Sequence, residues 1–297
     1  MILQARQHRI EFPRPPLVMG IVNLSEDSFS GDGLGDPRAA LGRAEAFLKE
    51  GAEIIDIGAE SARTNRGPIS AGEETDRLCA FVKLWKEAAL GGMLSINTWR
   101  PEVARAVLAC GGDLLNDIGA LPTDENARIC AQTGAALLVM HSVGLPKVAH
   151  THVGYSDVWE ALESFFETRI SIALGAGLAR EALVLDPGID FAKQRADNLR
   201  VYAGLERLQR FERPILLPVS RKTVIGDVLG VSEPSERDAG TVACLVQGML
   251  RGAHIFRVHE VRAAVQAVRV IEAVLGADRD SGSGNCGTKV AGGSDRP

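Results

Sequence analysis

Short apolar runs recur along the chain at regular intervals, separated by longer stretches whose apolar residues return every three or four positions. The runs fall at Leu17–Leu24, Glu53–Gly58, Leu94–Asn97, Leu114–Ile118, Ala135–His141, Ala182–Asp186, Ile215–Ser220 and His254–His259. Each is short, largely unbroken by polar residues and followed by loop-forming or polar positions, the pattern of a strand buried on both faces. The intervening stretches, among them Pro37–Lys49, Glu73–Glu87, Pro101–Cys110 and Ala239–Arg251, combine good helix formers with helical spacing and predict helices. Strands alternating with helices predict a parallel sheet, because each right-handed crossover returns the next strand beside the last. Eight such units can close into a (β/α)8 TIM barrel, a single α/β domain placed here at residues 15–277. Residues 1–14 read as an N-terminal extension. Residues 278–297, rich in Gly, Ser and charge, read as a disordered tail with too little apolar surface to offset its ordering entropy.

Composition narrows the function. With 297 residues, one domain is the default, and the net charge of -5 comes from 38 acidic and 33 basic residues scattered along the chain. No basic surface for nucleic acid or anionic lipid is expected, which favours a small-molecule partner. The five cysteines, Cys79, Cys110, Cys130, Cys244 and Cys286, include no Cys-x-x-Cys pair, so reduced thiols in a cytoplasm and no zinc site are expected. Met1–Phe12 lacks an apolar signal region and no later run reaches membrane-spanning length, so neither export nor anchoring is expected.

The polar residues sit where a barrel enzyme needs them. Successive runs end in Asn23, in Glu60 to Arg63, in Asn97, in Asn116-Asp117, in Met140-His141, in Asp186, in Ser220-Arg221-Lys222 and in Arg257-Val258-His259-Glu260. In a barrel these termini surround one mouth. A single strand-end Asn or Asp is as readily a helix cap as a ligand, but so many on one rim point to a site. Met140 and Phe191 taken alone are more readily core, and His141 is expected to be structural. The His150-x-His152 pattern has no Cys or carboxylate company and predicts no metal site. Gly31 to Gly35 lacks dinucleotide-binding spacing, and Asp32 and Asp36 would repel a pyrophosphate. No Ser–His or Cys–His pair is expected at the rim, so a covalent intermediate is not.

Val18-Met19-Gly20-Ile21-Val22-Asn23-Leu24-Ser25-Glu26-Asp27-Ser28-Phe29-Ser30 resembles the first signature of dihydropteroate synthases, and Glu53 to Arg63 resembles the second. Leu115-Asn116-Asp117-Ile118, Leu185-Asp186-Pro187-Gly188, Ser220-Arg221-Lys222 and Arg257-Val258-His259 are similar to the same family in order and spacing, so the resemblance covers about Leu17 to Leu275. It implies a pterin-binding barrel, a homodimer, that joins 6-hydroxymethyl-7,8-dihydropterin pyrophosphate to p-aminobenzoate and releases pyrophosphate with Mg2+. The implied pterin residues are Asn97, Asn116, Asp186 and Lys222, with Met140 and Phe191 as the apolar walls a flat ring needs. For p-aminobenzoate they are Phe29, Ser61, Ala62, Arg63, Thr64 and Ser220, and for pyrophosphate Asn23, Arg63, Arg257 and His259. Asn23 is also the implied metal ligand. Lys222, Arg257, His259 and Asp27 are the implied catalytic residues, with loops Leu24 to Gly35 and Ser61 to Pro68 closing over the substrates.

Several positions depart from the family pattern. Asn97-Thr98 stands where Asp-Thr or Asp-Ser is usual; Asp190 and Ala192 flank Phe191 in place of glycines; Pro218 replaces a Gly, which suggests an altered backbone approach. In loop two Ser61-Ala62-Arg63-Thr64 lacks the usual hydroxyl and proline, and Val219 is expected to line the approach to Ser220, so reduced sulfonamide sensitivity is expected. The alternatives are a module presenting methyltetrahydrofolate for methyl transfer, against which Ser220-Arg221-Lys222 argues, and a non-catalytic pterin binder, against which Lys222, Arg257 and His259 argue.

Overall fold

A computed structural model describes residues 1–24, 35–60, 67–148 and 153–282. The chain opens with an antiparallel hairpin, β1 (Ile2–Ala5) and β2 (His8–Glu11), in which Ile2 pairs Glu11 and Ala5 pairs His8. Leu3 and Ala5 are fully buried, the Arg6 backbone N–H donates to the Gly134 carbonyl at 2.8 Å, and its guanidinium donates to the Leu108 carbonyl at 2.6 Å. Gly134 lies just before a barrel strand, so residues 1–14 carry a hairpin packed on the N-terminal end of the barrel. Its strands are too short to stand out by alternation alone.

The barrel strands are β3 (Leu17–Asn23), β4 (Ile54–Gly58), β5 (Met93–Asn97), β6 (Leu114–Asp117), β7 (Ala136–Met140), β8 (Leu183–Asp186), β9 (Leu216–Pro218) and β10 (Ile255–Val258). They agree with the apolar runs to within a residue or two at most ends. All neighbours pair in parallel, in the order β8-β7-β6-β5-β4-β3-β10-β9. A parallel bridge from Leu185 to Ile215, with the Leu185 N–H on the Pro214 carbonyl at 2.9 Å, joins the two edges. The ring is thus nearly closed and leaves little unpaired edge.

Outside it run α1 (Pro37–Glu50), α2 (Ala71–Glu87), α3 (Pro101–Cys110), α4 (Glu125–Thr133), α5 (Val158–Gly175), α6 (Arg195–Ala203), α7 (Thr223–Leu229), α8 (Asp238–Leu250) and α9 (Val261–Gly282). Helix starts follow local chemistry: Asp36 accepts from the N–H groups of Arg38 and Ala39 with Pro37 in the first turn of α1, and Ser70 caps α2 by accepting from the Glu73 N–H. Two helices, α7 and α8, separate β9 from β10. Helix α9 continues through Gly282, past residue 278, where the tail is expected to begin; residues 283–297 lie outside the described residues. No described helix is long and apolar enough to cross a membrane.

Candidate active site

The C-terminal strand ends do converge. Asn23 pairs with Gly58, Gly58 with Asn97, and Asn97 with Asn116, while Met140 pairs with Asp186, so these residues stand at similar heights around one mouth. Asn23, Asn97, Lys222, Phe191 and Arg257 are half-buried; Asn116, Met140, Asp186, Ser220 and His259 are buried. Asp27, Phe29, Ser61, Ala62, Arg63 and Thr64, like His150 and His152, lie outside the described residues.

The group that organises the mouth was not among the expected site residues. Asp56, in the middle of β4 and fully buried, accepts from Ser95 Oγ at 2.6 Å, Asn97 Nδ2 at 3.3 Å, Asn116 Nδ2 at 3.1 Å and Arg257 Nε at 2.7 Å. An ionised carboxylate only accepts, so both amides must turn their NH2 groups toward it and their carbonyls away. The consequence is sharp at Asn116: its Oδ1 is buried with no hydrogen-bond partner among the described residues. A buried acceptor without a donor costs about 1–3 kcal/mol and calls for a ligand N–H or a water. Asn97 spends its NH2 on Asp56 and retains a carbonyl acceptor, which is why an amide serves here beside a second carboxylate.

Asp186, at the end of β8, accepts the Gly188 N–H on Oδ1 at 2.7 Å. Burial lifts its pKa to about 6, against the opposing pull of that N–H and of Lys222, Lys193 and Arg257. Lys222 donates to the Ile189 carbonyl at 2.8 Å and lies 5.1 Å from the Phe191 ring centroid; burial lowers its pKa. Lys193, also missed in the sequence, is buried under the same turn and bonds His141 Nδ1 at 2.8 Å and the carbonyls of Gly188 and Phe191 at 3.0 and 3.2 Å. Burial brings Lys193 down to about 7 and His141 down to about 2, which keeps the His141 ring neutral. Gly188 has φ 69° and a Cβ there would meet the His141 carbonyl oxygen at 2.0 Å, so only glycine fits.

Asp190 and Ala192 take φ of 66° and 50°, so the turn adopts left-handed backbone without glycine at either position. Asp190 is recruited further: its carboxylate accepts from the N–H groups of Thr223 and Val224 and caps α7. Met140 is 1 % exposed and belongs to the core cluster, leaving Phe191 as the accessible apolar wall. Val219, expected along the approach to Ser220, is fully buried.

One expectation is overturned outright: a Ser–His pair does exist at the rim. Ser220 Oγ lies 2.8 Å from His259 Nδ1 and also accepts the His259 backbone N–H at 3.2 Å. The partners are 39 residues apart, on different loops, and adjacency in sequence cannot reveal them. In the tautomer in which Nδ1 accepts the Ser220 hydroxyl hydrogen, Nε2 carries the ring N–H. Arg221, between Ser220 and Lys222, turns away to a bidentate pair with Asp238 at 2.8 and 3.0 Å and to Glu260 at 3.0 Å.

A charged cluster flanks residues 61–66. Arg100 joins the buried carboxylates of Glu60 and Glu74 and donates to the Ile69 carbonyl at 3.2 Å, while Lys147 reaches Glu60 at 2.9 Å and the Gly67 carbonyl at 3.2 Å. Among the described residues, no group of three or more His, Cys, Asp or Glu side chains could hold a metal ion, and Asn23 offers a single carbonyl oxygen. That donor set suits an ion bound largely through substrate phosphates and water rather than a protein cage.

Residues 19–259 match the family model described as "Pterin binding enzyme". The dihydropteroate synthase of Escherichia coli (strain K12) is 38% identical over 263 residues, 88% of this chain and 93% of that protein. That of Neisseria meningitidis serogroup C is 37% identical over 279 residues, 92% of this chain and 97% of that protein. Among solved structures, the Yersinia pestis dihydropteroate synthase in complex with a sulfonamide drug superposes with a TM-score of 0.87 at 36% identity, covering 93% of this chain and all 100% of that one. The Burkholderia cenocepacia dihydropteroate synthase complexed with 7,8-dihydropteroate gives 0.83 at 35% identity, covering 94% and 98%. With the site geometry, these matches show that the chain belongs to the pterin binding enzyme family.

Proposed function

We propose that the chain is a cytoplasmic, homodimeric dihydropteroate synthase that condenses 6-hydroxymethyl-7,8-dihydropterin pyrophosphate with p-aminobenzoate. The observation that carries the reading is the unsatisfied carbonyl of Asn116 in the mouth that also holds Asp186 and Lys222. A dihydropterin edge offers the matching set: an amino group and ring N–H for a carboxylate, a second ring N–H for an amide carbonyl, and a ring carbonyl for an ammonium. Asp186, Asn116 and Lys222 take these in turn, and Phe191 supplies a flat apolar surface.

At the other side of the mouth Arg257 bonds Asp56 through Nε, which leaves its two Nη groups as donors among the described residues, and His259 is a second nitrogen donor there in the tautomer that places the proton on Nε2. Both suit a pyrophosphate. The bond from the exocyclic carbon to the pyrophosphate oxygen breaks with its electron pair leaving on oxygen; the aryl amine bonds to that carbon and loses a proton. Arg257 and His259 stabilise the departing charge while Asp186, Asn116 and Lys222 hold the ring that bears the developing positive charge. Magnesium carried on the pyrophosphate, with Asn23 as a protein ligand, would add charge neutralisation there.

Incubating the purified protein with both substrates and Mg2+ is expected to yield 7,8-dihydropteroate and pyrophosphate in equal amounts, with excess chelator suppressing both. Absence of product would refute the activity, and an undiminished rate in chelator would remove the metal from it.

Reduced sulfonamide sensitivity goes with this proposal. Ala62 and Thr64 replace a hydroxyl and a ring-locked proline in loop two, which changes the surface met by the drug more than that met by the smaller substrate. One altered contact discriminates by about 10–200-fold. The double variant Ala62→Thr with Thr64→Pro is expected to gain sulfonamide sensitivity by about tenfold or more at little change in p-aminobenzoate KM. Equal inhibition of parent and variant counts against the proposal.

A further inference from the structure

We propose that Cys79 and Cys110 form a modification site that reacts with small-molecule disulfides and closes into an intramolecular disulfide bracing α2 against α3. The two sulfurs lie 3.1 Å apart, Cys110 is exposed and Cys79 half-buried, so one thiol meets solvent and the other waits behind it. Their approach is built into both helices. Cys79, Val82 and Lys86 recur at i, i+3 and i+7 and form one face of α2. The end of α3 seats on that face. A Cβ on Gly111 would come within 2.7 Å of Val82 Cγ1, so the missing side chain permits the contact, and Lys86 Nζ donates to the Cys110 carbonyl at 3.1 Å. Two thiols held face to face across packed helices need little backbone movement to bond.

The chemistry balances as thiol–disulfide exchange. The Cys110 thiolate attacks one sulfur of a disulfide such as glutathione disulfide, whose S–S bond breaks and releases one thiol. Cys79, deprotonated, then attacks Cys110 Sγ and displaces the second thiol. The protein dithiol is oxidised, the small molecule is reduced to two thiols, and the two protein protons end on those thiols. Cys110 makes the first attack because it is the exposed member of the pair, and burial beside Cys110 pushes the Cys79 thiol up.

The brace bears on the active-site rim. Glu74 stands in the first turn of α2 and Arg100 immediately precedes α3, and their ion pair with Glu60 flanks residues 61–66. Fixing α2 on α3 therefore bears on the Glu60–Arg100–Glu74 cluster.

The test uses the full chain equilibrated with graded glutathione disulfide to glutathione ratios, followed by alkylation, peptide mapping and thermal melts. A linked Cys79–Cys110 peptide, cleaved by dithiothreitol, is expected, with a rise in Tm of about 5–10 °C. Cys79→Ser is expected to stop at a mixed disulfide on Cys110, and neither it nor Cys110→Ser to gain the Tm rise. Full alkylation of both cysteines, a lasting glutathione adduct on Cys110 of the parent, or a linked peptide without a Tm rise would each overturn the proposal.

Discussion

Replacing Asp56 by alanine is expected to lower the unfolding free energy by about 3 kcal/mol and to cut kcat/KM by roughly a hundredfold or more. The carboxylate is fully buried and accepts from Ser95, Asn97, Asn116 and Arg257, so its loss strands two amides and a hydroxyl and leaves a guanidinium without its counter-charge. Removing one partner of a buried pair typically costs about 3–5 kcal/mol; the lower end applies because the Arg257 side chain is 23 % exposed and water can partly replace the carboxylate. The kinetic loss has a separate origin. Asp56 holds both Asn116 and Arg257, which the proposed function assigns to the pterin and the pyrophosphate, and misplacement by about 1 Å is enough for a hundredfold. Asp56→Asn should fall between, since its amide can accept from one donor but opposes another with its own NH2. Chemical denaturation and steady-state kinetics on both variants test this. An alanine variant within about 1 kcal/mol of the parent, with parental kcat/KM, would show that Asp56 neither supports nor aims the site.

That Asp56 escaped notice follows from where sequence patterns carry information. Parallel barrel strands are buried on both faces, so Leu17–Asn23 or Ala136–Met140 stand out as unbroken apolar runs, and polar residues at their ends stand out equally. Asn23, Asn97, Asn116, Asp186, Lys222, Arg257 and His259 were legible on that ground. Asp56 sits inside such a run, flanked by Ile55 and Ile57, and reads as part of the strand. A signal was there, because a carboxylate in the centre of a buried strand demands donors from its neighbours. The Ser220–His259 contact and the Lys193–His141 contact could not be read, as each joins residues far apart whose loops meet only in the closed barrel. Asp190 and Ala192 mislead in the opposite direction: replacement of glycine suggests a changed backbone, yet both residues accept positive φ, and Asp190 gains the α7 cap. The N-terminal hairpin was missed because four-residue strands carry too few positions for alternation to show.

The mouth therefore combines two kinds of carboxylate. Asp56 is saturated by protein donors and acts through them. Asp186 has one internal N–H, from Gly188, and is held near cations without being bonded to them in the way Asp56 is. Burial without enough donors is costly in the free protein and useful once a ligand supplies them. The carbonyl of Asn116 is buried without a partner among the described residues, and on the proposed function it is where a substrate N–H would bind.

Asp186→Asn is accordingly expected to give a protein more stable than the parent near neutral pH and about a thousandfold poorer in kcat/KM. Folding raises the Asp186 pKa from 3.8 to about 6, so the fold favours the protonated form. Its stabilising contribution is fully present below about pH 3.8 and is lost as pH rises through about 6, leaving the neutral-pH protein with the full cost of an ionised buried carboxylate. At 1.36 kcal/mol per pH unit that gap corresponds to about 3 kcal/mol, some of which the variant forfeits because its new NH2 group needs an acceptor. Asparagine keeps a carbonyl for the Gly188 N–H and has no charge to bury, so its stability should change less than the parent's between about pH 4 and 6. Activity moves the other way. On the proposed function the ionised carboxylate would accept from two pterin N–H groups at once, whereas the amide would oppose one of them with a donor, and a site built for such bonds rejects the mismatch strongly. For the parent, pterin affinity should weaken as pH falls through about 6, and the variant should show no such step. Denaturant melts at pH 4 and pH 7, with pterin binding followed across the same range, separate the two effects. A variant less stable than the parent at pH 7, or one within tenfold of parental kcat/KM, would mean that Asp186 is not the ionised acceptor of the pterin edge.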